Sequence, residues 1–568
     1  MQTYLHHSRL FVRLVSIQLR TSHKLVTQRP IQAMMVLLLL GAAALTAVCY
    51  LLYRWSTSTF GYFEKRSVPF GKPYPLLGAL WPYLKGEKSP VDALCEGYRH
   101  FPGCTYSGVF LFRSPCYLIH DPELIKKIAI RDFDHFADHA NNVSLEVDPF
   151  MGRVLFFANG QRWKQGRTAL SPAFTGSKMR NMFGLVSEYT NGAVRRLVED
   201  AEASGGKMER ELNDLFKRLG HDAITSISLG TDIDSIREPE NEFFAHGKEL
   251  AKTTGLQGFR FFIMSLLPEK ILRLSRMRIV PEHLATFYHG VVSKVIKHRL
   301  DNGIVRPDFI HLLLQARRNE LKTDETDEKF NDAGFATVQE HLEAPTKNPI
   351  EWTDYDIAAT AATFFFGGAE STTALLCFTI YELALNPHVQ QKLLAEIDSV
   401  QKTVGTEKLT YESMQQMKYL DMVISETLRK WPPFGVTNRR CTKPYQIQDV
   451  DGHSVTIEKG QVVFLPIQHI HRDPHFFPNP MRFDPERFAT ENRDQLNQDA
   501  YLPFGAGPRN CIGSRLSLMQ TKCFLYYLLS TFEVQLSNRT EVPIEIDLKA
   551  TGLNSKNGFW FHLIQRVK

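Results

Sequence analysis

The stretch Tyr501-Leu502-Pro503-Phe504-Gly505-Ala506-Gly507-Pro508-Arg509-Asn510-Cys511-Ile512-Gly513 decides how this 568-residue chain is read. Pro503, Gly505, Gly507 and Pro508 punctuate a tight loop. Directly after it, Leu516, Met519, Phe524 and Leu528 recur at helical spacing. One cysteine therefore sits where a loop passes into a helix N-terminus. Unbonded N–H groups and the positive end of the helix dipole favour an anion there. Arg509 adds a cation two residues earlier. Both lower a thiol pKa, so the pattern predicts a Cys511 thiolate, the form that ligates metals. The glycines let a large flat group come close to the backbone. The competing reading is a plain buried loop cysteine. A dinucleotide loop is excluded, because Gly505-x-Gly507-x-x-Asn510 lacks the third glycine.

Around this loop the chain has the composition of a globular protein, with 43% hydrophobic and 23% charged residues. Its net charge of +6 is carried by residues 1–63, which hold six Arg or Lys and no acid. The remainder balances 61 bases against 61 acids, which argues against a nucleic-acid-binding body. Eight cysteines without CxxC or paired spacing fit reduced thiols on the cytosolic side of a membrane.

Residues 33–53 carry no charge and are long enough to span a bilayer. They are expected to be a permanent transmembrane anchor, because a signal-peptide core is shorter. Residues 1–32 form a basic N-terminal extension that imitates a transit peptide; the alternative is a start at Met34 or Met35, with the extension a gene-model artefact. Residues 54–78 read as a linker ending in the proline-rich run Val68-Pro69-Phe70-Gly71-Lys72-Pro73-Tyr74-Pro75, a stiff connector. The body then runs from 79 to 568. Tyr106–Phe112 and Cys116–His120 are predicted to form a hairpin. Residues 316–350 are charged and patternless, and are expected to be an exposed loop.

The residues Phe504-x-x-Gly507-x-Arg509-x-Cys511-x-Gly513 resemble the haem-ligand signature of the cytochrome P450 family. That resemblance implies haem b beside Phe504 and Gly513, with Cys511 as the axial ligand of its iron. Trp163 and Arg167 share one helix face and resemble the family's W-x-x-x-R pair, which holds a haem propionate. Arg439, in Asn438-Arg439-Arg440-Cys441, and Arg509 match two further propionate-binding arginines. Arg153, Arg162, Lys164, Arg167, Lys178 and Arg180 form an acid-free run, read either as a solvated face or as a docking surface for an acidic redox partner. By order, Phe259–Pro268 matches the family's channel-lining, bilayer-touching region.

Thr353-Asp354-Tyr355-Asp356 reads as a capping box opening a proline-free apolar helix that ends at Asn386-Pro387. In its middle, Gly367-Gly368 invites a local opening. Glu370, Ser371 and Thr372 follow at once, and such groups are costly in an apolar core unless used. The segment resembles the family's oxygen-site motif, with Ser371 where threonine is usual, and implies a proton relay through these three residues. Glu426 and Arg429 match the family's E-x-x-R, and Arg487 the later segment that it bonds; all three are expected to be structural. His469, His471 and His475 lack zinc spacing and are read as structural.

The phrases Ser171-Pro172-Ala173-Phe174-Thr175 and Phe364-Phe365-Phe366-Gly367-Gly368 are most similar to insect microsomal members of the clan holding families three, six and nine, family nine above all. The implied fold is mainly α with a minor β lobe, behind an N-terminal transmembrane helix. The implied activity is insertion of one oxygen atom from O2 into apolar substrates, xenobiotic or endogenous. Absence of any nicotinamide or flavin motif assigns NADPH to a separate cytochrome P450 reductase, with cytochrome b5 as a second donor. The implied location is the cytoplasmic face of the endoplasmic reticulum membrane. A haem-binding sensor or carrier and a P450-type isomerase are the rivals; neither needs the proton relay.

Overall fold

The computed structural model describes Ser16 and residues 34–567, apart from 141–142, 252–268, 319, 322–333, 338–350, 406–407 and 551. The basic extension and the stretch Phe259–Pro268 lie outside the described residues.

Helix α1 (Met34–Thr57) has 24 residues, and its most apolar 18-residue window has a mean hydropathy of 2.5 and no buried residue. It rises about 36 Å, enough for a bilayer core. It runs four residues past Tyr53, since Ser56 and Thr57 hydroxyls bond back to the Tyr53 carbonyl and the Arg113 guanidinium lies 4.0 Å from the Trp55 ring centroid. The connector that follows is welded to the body. Phe63 is fully buried, 5.1 Å from the Phe110 ring and 5.4 Å from Tyr117. Gly108 makes room for it: a Cβ there would lie 2.6 Å from the Phe63 ring.

The predicted hairpin is β1 (Tyr106–Leu111) and β2 (Ser114–Ile119), paired antiparallel. With β4 (Thr437–Arg440) and β7 (Val462–Leu465) it forms a four-stranded sheet ordered β1-β2-β7-β4. Strands β3 (Lys207–Glu211), β8 (Phe532–Leu536) and β9 (Trp560–Gln565) form a second sheet, ordered β3-β9-β8, and β5 (Tyr445–Gln448) and β6 (Ser454–Ile457) a ribbon.

Helices dominate the rest. They include α2 (Gly160–Leu170), α3 (Gly176–Ala203), α4 (Leu212–Ile224), α5 (Glu282–Asn302), α6 (Phe309–Arg317), α7 (Asp354–Phe364), α8 (Glu370–Leu385), α9 (Pro387–Val404), α10 (Lys418–Lys430) and α11 (Ser514–Thr531). The largest apolar core joins α3, α4, α8, α10 and α11. A second one joins α5 and α7 to Phe150, Met151 and Phe157.

Helices α7 and α8 are one continuous rod with a π-helical turn, Phe365–Ala369, at the Gly-Gly pair. The rod opens on the predicted capping box: Thr353 Oγ1 accepts from the Asp356 N–H, and Asp356 Oδ2 accepts from the Thr353 N–H, both at 3.1 Å. It stops at Asn386, before Pro387.

Candidate functional site

The Cys511 loop is built by its glycines. Gly505 and Gly507 adopt φ of +76° and +70°. A Cβ on Gly507 would lie 1.8 Å from the Ala129 carbonyl oxygen, so the loop can lie flat on residues 127–131 only with glycine here. Three backbone bonds close it: Gly505 N–H to Leu502 O at 3.1 Å, Asn510 N–H to Gly507 O at 2.9 Å, and Cys511 N–H to Phe504 O at 2.9 Å. The last bond couples Phe504 to the cysteine. Gly513 caps α11, so Cys511 stands three residues before the helix, with an exposed thiol.

The predicted basic residues converge on this loop. From α2, Arg167 donates to the Asn510 carbonyl at 2.9 Å and to Asn510 Oδ1 at 2.5 Å. Trp163, one turn earlier, lies with its ring centroid 4.0 Å from the Arg509 guanidinium. Arg509 donates to the carbonyls of Ala137 and Ala158 and to Asn159 Oδ1. Arg439, from β4, is 1% exposed; it donates to the Asn438 carbonyl at 2.8 Å and reaches the Ala506 carbonyl at 3.5 Å. Burial pushes the Arg439 guanidinium down to about 10. Burial, then the Arg439 charge, push Arg509 down to about 9. Neighbouring His139 is driven well below its usual range, mainly by burial. Among the described residues Asp138 is the carboxylate that approaches this cluster, 3.7 Å from Arg509, so there the site holds more buried positive than negative charge.

The acid and hydroxyls of the rod separate on different faces. Ser371 Oγ donates to the Gly367 carbonyl at 2.7 Å, across the π turn. The Glu370 carboxylate pairs with Lys217 of α4 at 3.1 Å. Thr372 is buried, its hydroxyl 3.3 Å from Ser517 of α11. That contact ties the rod to the helix that Cys511 precedes, and brings the π turn and the loop into one region.

Glu426 and Arg429 form a bidentate pair at 2.6 and 2.8 Å, with both side chains fully buried. Arg429 also donates to the carbonyls of His471 and Pro480. Glu426 accepts the Asp484 N–H at 3.0 Å and lies 3.5 Å from Arg487. Burial raises the Glu426 pKa against these contacts. His471, held neutral by burial, accepts the Leu502 N–H at 2.8 Å, and Tyr501 donates to the Ser425 carbonyl at 2.9 Å. The Cys511 loop thus starts from this buried ion pair.

The acid-free run of bases is not one open stripe. Asp356 lies 2.8 Å from Arg153 and 3.6 Å from Arg162, Glu412 pairs with Arg180, and Arg167 is buried. Lys217 and Asn510 were not singled out in the sequence, and Asp356 was read there as a helix cap and not as the partner of Arg153 and Arg162. Asn510 carried a local signal, its place beside the cysteine; Lys217 carried none.

The cytochrome P450 family model matches residues 68–560. The chain is 38% identical over 533 residues to cytochrome P450 9e2 of Blattella germanica, covering 92% of this chain and 96% of the relative. It is 36% identical over 523 residues to probable cytochrome P450 9f2 of Drosophila melanogaster, covering 91% and 97%. Against cytochrome P450 6k1 of Blattella germanica it is 32% identical over 517 residues, covering 91% and 94%. Thiol loop, apolar rod with its π turn and buried E-x-x-R pair lie within the matched span, and the chain belongs to the cytochrome P450 family, with a strong likeness to the insect members of family nine.

Proposed function

We propose that this chain is a haem-thiolate monooxygenase of the endoplasmic reticulum membrane, anchored by α1 with its body on the cytoplasmic face. It takes electrons from NADPH through a separate cytochrome P450 reductase, with cytochrome b5 as a second donor. Its substrates are apolar small molecules, either xenobiotics such as insecticides or endogenous lipids and hormones. The observation that carries this reading is the exposed Cys511 thiol beside a cluster of buried, under-neutralised guanidiniums. Haem fits those residues. Its iron accepts a soft thiolate, its propionates supply the missing negative charge, and Arg439 Nε is buried without a partner.

Haem, when bound, supplies reductive activation of O2 and transfer of one oxygen atom to the substrate. Cys511 holds the iron. Arg439 and Arg509, with Trp163 against Arg509, hold the propionates, and Arg167 holds the loop through Asn510. Glu370 is 39% exposed and paired with Lys217, so its carboxylate sits in contact with water directly after the π turn. Ser371 has its proton on the Gly367 carbonyl and its oxygen open to accept another. Thr372, expected in the relay, is given a structural role here: its buried hydroxyl pairs with that of Ser517 and ties the rod to α11.

Incorporation of isotope from labelled O2 into product, with reductase and NADPH present, tests the reading. Product isomerised without label, or no NADPH consumption with any apolar substrate, would contradict it. In the same assay Ser371→Ala is expected to lower the product formed per NADPH several-fold. Ser371→Thr is expected to raise it, because a methyl restricts the hydroxyl to fewer rotamers. Equal ratios in all three proteins would remove Ser371 from proton delivery.

A further inference from the structure

Within the charged stretch 316–350, expected to be an exposed loop, the residues Gly334–Thr337 lie beside the Cys511 loop. Ala336 is 3% exposed. Gly334 adopts φ +113°, and a Cβ there would lie 1.9 Å from Asp421 Oδ1. Only glycine fits this approach. It lets the Phe335 N–H donate to Asp421 Oδ2 at 2.8 Å. The same carboxylate pairs with Lys522 of α11 at 2.9 Å, and Lys522 is 1% exposed. The Phe335 ring lies 4.9 Å from Phe488 and 5.6 Å from Tyr501, both at aromatic contact angles. The Arg493 guanidinium stands 5.7 Å from the same ring. Beside the segment a cleft of about 310 Å³ reaches Gly505, Ala506 and Gly507, and is lined also by Lys126 and Ile130.

We infer that Gly334 and Phe335 are positioning residues for the axial cysteine: they form a clasp that fixes the loop from outside. The clasp joins three elements on which Cys511 depends. It bonds α10 at Asp421, packs on the first residue of the loop at Tyr501, and reaches α11 through the Asp421–Lys522 pair. A segment that served only as a connector would need neither a positive-φ glycine against a carboxylate nor an aromatic ring packed on a pair of touching rings. The inference rests on Cys511 being the haem ligand. It adds that residues far from the ligand loop in sequence set how firmly the thiolate is held.

The test uses the full-length holoenzyme and its Gly334→Val, Phe335→Ala and Phe335→Tyr variants. Each is reduced, CO-bound and placed in mild urea, and loss of the haem-thiolate Soret band is followed. Amide exchange at Leu502 in the haem-free chain gives a readout independent of the cofactor. Gly334→Val and Phe335→Ala are expected to lose the band about fivefold faster than wild type and to exchange Leu502 faster, the mark of an eased local opening. Phe335→Tyr, which keeps the ring, is expected to match wild type. Should Phe335→Ala not fold, Phe335→Leu replaces it, with an intermediate rate expected. Wild-type rates of band loss and exchange in Gly334→Val and in the truncated Phe335 variant would overturn the clasp. Absence of the thiolate band from wild type itself would instead overturn the ligand assignment.

Discussion

Replacing Arg429 by alanine is expected to cost the fold about 3–5 kcal/mol, the range for breaking a buried pair by removing one partner. Neither Glu426 nor Arg429 has any exposed side-chain surface. In the variant, Glu426 would keep the Asp484 N–H and the more distant Arg487. The carbonyls of His471 and Pro480 would each lose a donor. His471 is also the residue that accepts the Leu502 N–H, so the damage passes into the Cys511 loop. The check is urea denaturation of the full chain in detergent, beside Lys392→Ala as a surface control. Lys392 and Glu486 are also paired, at 2.8 Å, but are 59% and 45% exposed, and such a pair is worth at most about 1 kcal/mol. Equal midpoints for the two variants would contradict the account.

Arg439→Met is expected to act with opposite signs on the haem-free and haem-bound protein. Arg439 is fully desolvated, and its guanidinium is pushed down to about 10 by burial alone. That depression corresponds to an unfavourable burial on the order of 3 kcal/mol. Among the described residues no carboxylate pairs with Arg439, and its Nε has no partner. His139, 3.5 Å away, is neutral and offers no countercharge. Methionine fills similar space without charge, so the haem-free chain should gain about 1–3 kcal/mol in unfolding free energy. The holoprotein should lose haem to an apo-globin acceptor roughly tenfold faster, since a charge-assisted hydrogen bond to a propionate is worth about 1.5–3 kcal/mol. A destabilised haem-free chain, or an unchanged rate of haem loss, would show that Arg439 serves the fold and not the cofactor.

Features governed by short-range spacing were legible in the sequence. The apolar run gave a helix long enough to cross a membrane, the turn residues around Arg113 the hairpin, Thr353 and Asp356 the helix start, and Gly367-Gly368 the interruption. The structure agrees at each place because local sterics decide them. What the sequence hid was long-range. Arg167 and Asn510 are 343 positions apart. Lys217 meets Glu370 only because α4 packs on α8. The acid-free run looked like an open basic surface because Asp356 and Glu412, which neutralise part of it, lie far along the chain. Spacing of three between Glu426 and Arg429 suits a surface pair as well as a buried one, and only packing distinguishes them. The stretch 316–350 misled for the same reason. Its composition is that of a solvated loop, yet Gly334-Phe335-Ala336 has a seat prepared by Asp421, Phe488 and Tyr501.

The most direct test of the account is the reduced, CO-bound difference spectrum of the full chain beside its Cys511→Ala variant. A Soret band at the haem-thiolate position is expected in the wild type and its loss in the variant, with Cys95, Cys104, Cys116, Cys377, Cys441 and Cys523 unable to restore it. A wild type that binds haem without that band, or a Cys511→Ala protein that keeps it, would contradict the assignment of Cys511 and the monooxygenase reading built on it.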